Sequence, residues 1–291
     1  MNTQLISRLS PIADSYDFYI IDLWGTLHNG IEPFPEALDC LKKLKKAGKS
    51  IALLSNAPFR VEVVVKVITQ IGVPDDLYDN VLSSGEVAWN AIADRSNNSF
   101  KSLGKRVVFI GNERHRSMLE NPNIEEVKSI KYADFILCTG PRKKSDTIKD
   151  YFSELSEAAN LSLPMICANP DREVMRGQQR EICAGAIAAY YETQHKGAVY
   201  WYGKPFRPIF DEMIKLLSHP QRKKVLMIGD GILTDVAGAK GADIDSLFLC
   251  GGIHADAIGV DKAGEVKETS LVELLRKYGQ APNFAATHLS W

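Results

Sequence analysis

The sequence predicts an α/β protein: a doubly wound parallel-sheet core built from both ends of the chain, with a second α/β domain inserted between the halves. Three observations carry that expectation. Short apolar runs of strand length alternate with helix-like segments from start to end, which a parallel sheet with right-handed crossovers requires. Two of those runs, Tyr19-Ile20-Ile21-Asp22 and Val225-Leu226-Met227-Ile228-Gly229-Asp230, end in a carboxylate, and open α/β folds bind ligands at the carboxyl ends of their strands. A polar stretch at 95–99 separates the first group of elements from a second group with its own strands.

Taken in order, the first strand begins at Tyr19 and runs into the Asp22 carboxylate and then a Gly-containing turn. Pro35 to Ala47 reads as a helix with Leu38, Leu41 and Leu44 on one face, closed by Gly48. Ser50 to Leu54 is a buried strand halted by Ser55-Asn56-Ala57-Pro58, and Arg60 to Ile71 a helix ended by Gly72. Val81 to Ser84 and Gly85 to Asp94 form a third strand and helix. Beyond the polar stretch, Arg106 to Ile110, Ala133 to Cys138 and Met165 to Ala168 read as strands, with Asp146 to Ala159 as the longest helix among them. Ala184 to Tyr190 is a small-residue helix suited to close packing, internally or against a second copy, so a homodimer is one expected assembly. Ala198 to Trp201 resumes the strands, and Gly203-Lys204-Pro205 leads into a helix through Leu217. Val225 to Ile228, a helix from Thr234 to Lys240 and a strand from Ser246 to Leu249 complete the run. The expected division is a core of residues 1–85 and 198–291 around an insert of residues 86–197.

The composition is that of a folded chain. Of 291 residues, 45% are hydrophobic and 24% charged, which argues against disorder. Lys+Arg 35 against Asp+Glu 36 gives a net charge of −1, so no global attraction to nucleic acid or an anionic membrane exists and any phosphate binding needs a local site. The basic runs Arg142-Lys143-Lys144, Lys42-Lys43 and Lys45-Lys46 lack interleaved aromatic residues and read as solvated faces. Five scattered cysteines without CxxC spacing read as reduced, buried thiols. With no leader-like amino terminus and no apolar run near the ~20 residues of a membrane span, the expected location is the cytoplasm.

Four segments carry chemistry, each at the end of a strand. Asp22 is a carboxylate placed to attack an electrophilic phosphorus. Attack by an anion on an anionic ester needs a metal and hydrogen-bond donors to reduce the repulsion. Asp230 and Asp235, five residues apart at the start of a turn and helix, suit Mg²⁺, which favours oxygen ligands and keeps several waters. Ser55 and Asn56 offer a hydroxyl, an amide and backbone N–H groups to phosphoryl oxygens, and Lys204 a charge to balance Asp22 and the phosphate. Each piece alone has an ordinary explanation as a turn or a cap; the four in this order do not.

In that order the chain resembles the haloacid dehalogenase superfamily, and in particular its branch (subfamily IIA) with a large α/β cap on a Rossmann-like core. The motifs are Asp22 to Thr26, Ser55-Asn56, Lys204 within Gly203-Lys204-Pro205, and Gly229-Asp230 through Asp235. The resemblance implies that Asp22 is the nucleophile, assisted by Lys204 and Ser55. It implies that Asp22, Asp230 and the backbone carbonyl of Trp24 surround Mg²⁺, with Asp235 supporting them. Ala168-Asn169-Pro170-Asp171 resembles the branch's substrate-facing cap loop, which together with Asn56 makes Asn169 and Asp171 candidates for substrate contact. The implied activity is hydrolysis of a small phosphorylated metabolite, such as a sugar phosphate or nucleotide, through an aspartyl-phosphate.

One residue departs from the pattern. Phosphatases of this superfamily carry a second Asp where this chain has Trp24; it protonates the leaving oxygen and later activates water, assistance of roughly 10²–10⁴-fold. An indole donates a hydrogen bond but does not titrate. Three readings stay open: an unusual or weak phosphatase, an enzyme of altered chemistry, and a catalytically silent protein that binds a phosphorylated ligand. His28, four residues on, is a candidate surrogate base, and His254 a candidate for the rim of the site.

Overall fold

The computed structural model describes residues 3–94, 101, 103–176, 179–260 and 264–291; the polar stretch at 95–99 lies outside the described residues. The chain divides into two compact units. One comprises Met1–Ser55, Val65–Leu82 and Lys204–Trp291, the other Asn56–Val64 and Ser83–Gly203.

The first unit is built on a seven-stranded sheet. Its order is Gln4–Leu5, Phe284–Ala286, Asp245–Leu249, Val225–Gly229, Phe18–Asp22, Ser50–Ser55, Asn80–Ser83. The pairings from Gln4–Leu5 through to Ser50–Ser55 are all parallel. The reason is legible in the central strands: Tyr19, Ile20, Ile21 and Val225 to Ile228 are completely buried, as strands covered on both faces must be. From Phe18–Asp22 the chain steps outward through Ser50–Ser55 to Asn80–Ser83; after the insert it returns on the other side of Phe18–Asp22. The strand order therefore reverses between Phe18–Asp22 and Val225–Gly229, which places the ends of both carboxylate-bearing strands at the reversal.

Helix details refine the sequence reading. Pro35–Lys46 has Pro at its first turn and buries Ala37, Cys40, Leu41 and Leu44, an i, i+3, i+4, i+7 stripe; Leu38 lies at its half-buried border. The segment expected as a helix from Thr234 opens instead as a π-turn at Ile232–Val236 before α-helix Ala237–Gly241. There the Asp235 carboxylate accepts the Gly231 N–H at 2.9 Å and the Asp235 N–H donates to the Gly231 carbonyl. Helix Glu268–Tyr278 and strands Phe284–Ala286 and Gln4–Leu5 extend the unit beyond the elements read from sequence.

The second unit holds a five-stranded sheet, ordered Val199–Trp201, Met165–Cys167, Phe135–Cys138, Arg106–Ile110, Glu125–Glu126, parallel throughout. An antiparallel pair, Glu173–Arg176 with Gln179–Ile182, accompanies it and has no counterpart in the sequence reading. The helix expected from Asp146 begins as a 3₁₀ turn, Ile148–Tyr151, with a capping box between Thr147 and Asp150. Only Phe152–Asn160 is α-helical, so Ala184–His195 is the longer α-helix. Ala184, Ile187, Ala188 and Tyr191 of that helix belong to the unit's own core, so its small-residue face packs internally. All five cysteines are free and buried, and burial pushes the thiols of Cys40, Cys138 and Cys250 up to about 12. Among the described residues no helix is long and apolar enough to cross a membrane.

Candidate active site

In the first unit, the parallel register sets Asp22 opposite Leu54, the residue before Ser55. Asp230 follows the neighbouring strand Val225–Gly229, and Asp235 sits in the π-turn that succeeds it. The three carboxylates present oxygens within 4.8 Å of one another, all buried. Lys204 joins them from the start of the returning segment. Its Nζ donates to Asp22, lies 2.7 Å from Asp235 Oδ1 and donates to the Leu54 carbonyl at 3.2 Å.

The electrostatics follow from three carboxylates facing one ammonium in a buried place. Burial opposes the Lys204 charge, but Asp22 and Asp235 outweigh it and hold the ammonium above the usual lysine range. Burial, reinforced by the charges of Asp22 and Asp235, pushes the Asp230 carboxyl well above the ordinary carboxylate range. Burial likewise raises Asp235 to about 6, against the pull of Lys204. The cluster is thus short of positive charge, and its donor set is all oxygen, which fits a hard divalent cation. The Trp24 carbonyl accepts no hydrogen bond among the described residues, so it is available to the same cation.

Backbone shapes this cluster closely. The Ile253 N–H donates to Asp230 Oδ2 at 2.8 Å. A Cβ on Gly25, whose φ is +79°, would stand 2.2 Å from Asp230 Oδ2, and one on Gly252 2.1 Å from it. Gly25 is therefore required twice, for a left-handed turn and for the approach of Asp230. His254, expected at the rim of the site, packs instead between Phe248 and Tyr278; the contribution comes from the backbone of Ile253, one residue earlier. Thr26 Oγ1 is buried without a partner among the described residues.

Trp24 points away from an interior role. Its side chain is 42% exposed, its ring meets His28 edge-on at 5.7 Å, and a Cβ on Gly30 would come within 2.3 Å of the indole. His28 does not suit the surrogate-base reading. It is buried, burial drops its imidazole to about 4, and its Nδ1 accepts the Gly30 N–H at 3.0 Å. The ring is then neutral at pH 7 with its proton on Nε2, a donor and not a base.

The remaining candidates lie in the second unit. Asn56 Nδ2 donates to Asp171 Oδ1 at 2.9 Å. Asn169 Oδ1 accepts the Asp171 N–H at 2.9 Å, an Asx turn that sets the Asn169-Pro170-Asp171 loop. Ser84 Oγ donates to the Ala168 carbonyl and lies 2.9 Å from the Asn56 carbonyl. Asn56, Asn169 and Asp171 thus form one fixed group, while Asp22, Trp24, Ser55, Lys204, Asp230 and Asp235 belong to the first unit.

Comparison with known proteins agrees with this arrangement. A model of haloacid dehalogenase-like hydrolases matches residues 19–125, and a HAD-hydrolase-like model matches residues 201–287. A hydrolase of the haloacid dehalogenase-like family from Brucella suis 1330 is 32% identical, with a TM-score of 0.83 over 98% of this chain and 100% of its own. A 4-nitrophenylphosphatase from Schizosaccharomyces pombe is 22% identical across 92% of this chain and 94% of its length. A glycerol phosphate phosphatase from Mycobacterium tuberculosis, solved in complex with calcium, shares the fold at a TM-score of 0.65 and 21% identity, over 88% of this chain and 73% of its own. With both halves of its core matched and a full-length relative at that identity, the chain belongs to the haloacid dehalogenase-like hydrolases.

Proposed function

We propose that this protein is a Mg²⁺-dependent phosphatase of a small phosphomonoester, working through an aspartyl-phosphate on Asp22. The observation that carries the proposal is the meeting of Asp22, Asp230, Asp235 and Lys204 in one buried cluster. The phosphatase names of its relatives support the same reading.

In this reading an Asp22 carboxylate oxygen forms the bond to phosphorus as the ester oxygen leaves with the bonding electrons. Lys204 holds that carboxylate in place through a hydrogen bond. Asp22, Asp230 and the Trp24 carbonyl would hold Mg²⁺, and Asp235 fixes Lys204 beside them. Bound there, the cation would offset the negative charge of the phosphoryl group. Ser55, at the end of its strand, would serve phosphoryl oxygens, and the Asn56, Asn169 and Asp171 group the rest of the substrate. A water oxygen then bonds to the phosphorus as the Asp22 O–P bond breaks, which frees the carboxylate and releases phosphate, and the proton shed by the water neutralises the expelled alkoxide through solvent.

The Trp24 indole favours a second reading, a weak or silent protein that binds a phosphorylated ligand without turning it over. Its ring lies against His28 and Gly30, and His28 supplies no base. Phosphate release from a panel of sugar, nucleotide and aryl phosphates with Mg²⁺ separates the two. Release that disappears in Asp22→Asn is the expected result; tight binding with no release from any substrate would establish the silent protein instead.

A further inference from the structure

The second unit has a reversal of strand order of its own. From Arg106–Ile110 the chain passes to Glu125–Glu126 on one side and then to Phe135–Cys138 on the other, so the switch lies between Arg106–Ile110 and Phe135–Cys138. A cavity of about 80 Å³ opens there, at the carboxyl ends of the strands. Arg114 and His115 line it after the first strand, Thr139 and Lys144 after the second, and Asn169 after Met165–Cys167. A water needs only about 10–15 Å³ of such space, so the cavity has room for one small group and not for a nucleotide.

We propose that this cavity binds a small anionic group, a carboxylate or phosphate, through Arg114, Lys144 and Asn169. Two cations border it, and neither Arg114 nor Lys144 has a carboxylate partner among the described residues. The basic run containing Lys144 is not uniformly a solvated face. Arg142 makes paired bonds to Glu154, both 2.8 Å, and lies over the Tyr151 ring, while Lys144 is left on the cavity. The lining sets these two cations against one carboxylate, Glu181, which makes an interaction of its own, so one positive charge is in excess. Two like charges bordering one cavity are brought to balance by an anion between them.

Two buried polar side chains, His115 and Asn169, stand among apolar lining residues such as Phe59, Val174 and Ile182. His115 is buried, with Nδ1 3.0 Å from Thr139 Oγ1 and its ring edge-on to Phe59 at 4.7 Å. Asn169 is buried and uses Oδ1 to hold the Asp171 N–H. That bond orients its amide so that Nδ2, which has no partner among the described residues, remains a donor. Such a set recognises charge and hydrogen-bond acceptors.

The ring resonances of His115, followed by NMR at constant ionic strength, report occupancy directly. Inorganic phosphate or malonate should shift them in the wild type, and the Arg114→Gln/Lys144→Gln variant should require about tenfold more ligand or lose the response. The variant alters two exposed side chains, so its fold is checked by unchanged resonances elsewhere. This reading is independent of turnover and would stand for a silent protein. No shift in the wild type, or an equal shift in the variant, overturns the proposal. Kinetics then distinguish the source of the anion. A KM ratio of phosphoglycolate to phenyl phosphate that rises in the variant assigns the bound group to the substrate's second anion; an unchanged ratio, with the NMR response lost, assigns it to a free anion.

Discussion

The two sheets of this molecule solve the same geometric problem with opposite charges. Each reverses its strand order near the middle, and each gathers functional groups at the carboxyl ends of the strands that flank the reversal. In the first unit those groups are three carboxylates around one lysine; in the second they are a histidine, an asparagine amide and two cations. Topology chooses the place and side chains choose the chemistry. An edge crowded with carboxylates calls for a cation, an edge bordered by cations for an anion.

The largest expected effect comes from removing the nucleophile. Asp22→Asn should lower phosphate release by more than about 10⁴-fold, while the His115 response to phosphate persists. If both vanish together, the two edges are not separable. Trp24→Asp comes next and acts in the opposite direction. Supplying a titratable carboxyl should raise turnover by about 10²–10⁴-fold on alkyl phosphates, whose leaving oxygen needs a proton, and much less on aryl phosphates, which do not. A correctly folded Trp24→Asp that gains nothing on either class would show that the missing acid is not what limits this chain.

How far the sequence revealed each edge differs for the same physical reason. The acidic edge was legible because its residues sit directly after long apolar strands: Asp22 after Tyr19-Ile20-Ile21, and Asp230 after Val225 to Gly229. The spacing to Asp235 and the isolated Lys204 completed it. The Ile253 N–H on Asp230 was not legible, because a backbone donor has no residue signature. The cationic edge was hidden more thoroughly. Arg114 and His115 come from the short 3₁₀ helix Glu113–Leu119 and Lys144 from a basic run that reads as a solvated face, and their meeting with Thr139 depends on a strand order that no local pattern encodes. Phe284–Ala286 and Gln4–Leu5 were missed because two or three residues carry no period, and the π-turn because the bond that accompanies it, from the Gly231 N–H to the Asp235 carboxylate, has no signature in the spacing of apolar residues.

Smaller effects sharpen the acidic edge further. Lys204→Met leaves three buried carboxylates without their ammonium and should destabilise the cation-free chain by about 3–5 kcal/mol, read by chemical denaturation. Removing the metal without mutation has a pH signature. Asp235 titrates at about 6 in the folded chain and Asp230 is also raised, against about 3.9 when unfolded. Between those values the folded state binds more protons, so this contribution is present at low pH and is lost as pH rises through about 6. In EDTA, the melting temperature should therefore fall between about pH 5 and about pH 7.5 through these two groups. Mg²⁺ at a hundredfold excess over its Kd should restore about 2.7 kcal/mol at the higher pH. A melting temperature indifferent to Mg²⁺ there would remove the cation from the acidic edge.

The smallest expected effect concerns the aromatic ring that this acidic edge carries beside its first turn. Gly30 has φ +89°, and a Cβ there would meet the Trp24 indole at 2.3 Å. Gly30→Ala therefore combines two penalties, a left-handed backbone of about 1 kcal/mol or more and the displacement of the ring. The backbone penalty does not depend on residue 24, whereas the steric one does. In a Trp24→Ala background, which has no ring to displace, Gly30→Ala should retain only the backbone part. The coupling between the two changes should then be about 0.5–3 kcal/mol by double-mutant cycle. Full additivity would mean the indole is free to move off the loop, and the absence of a carboxylate at position 24 would then be a chemical difference without a structural counterpart.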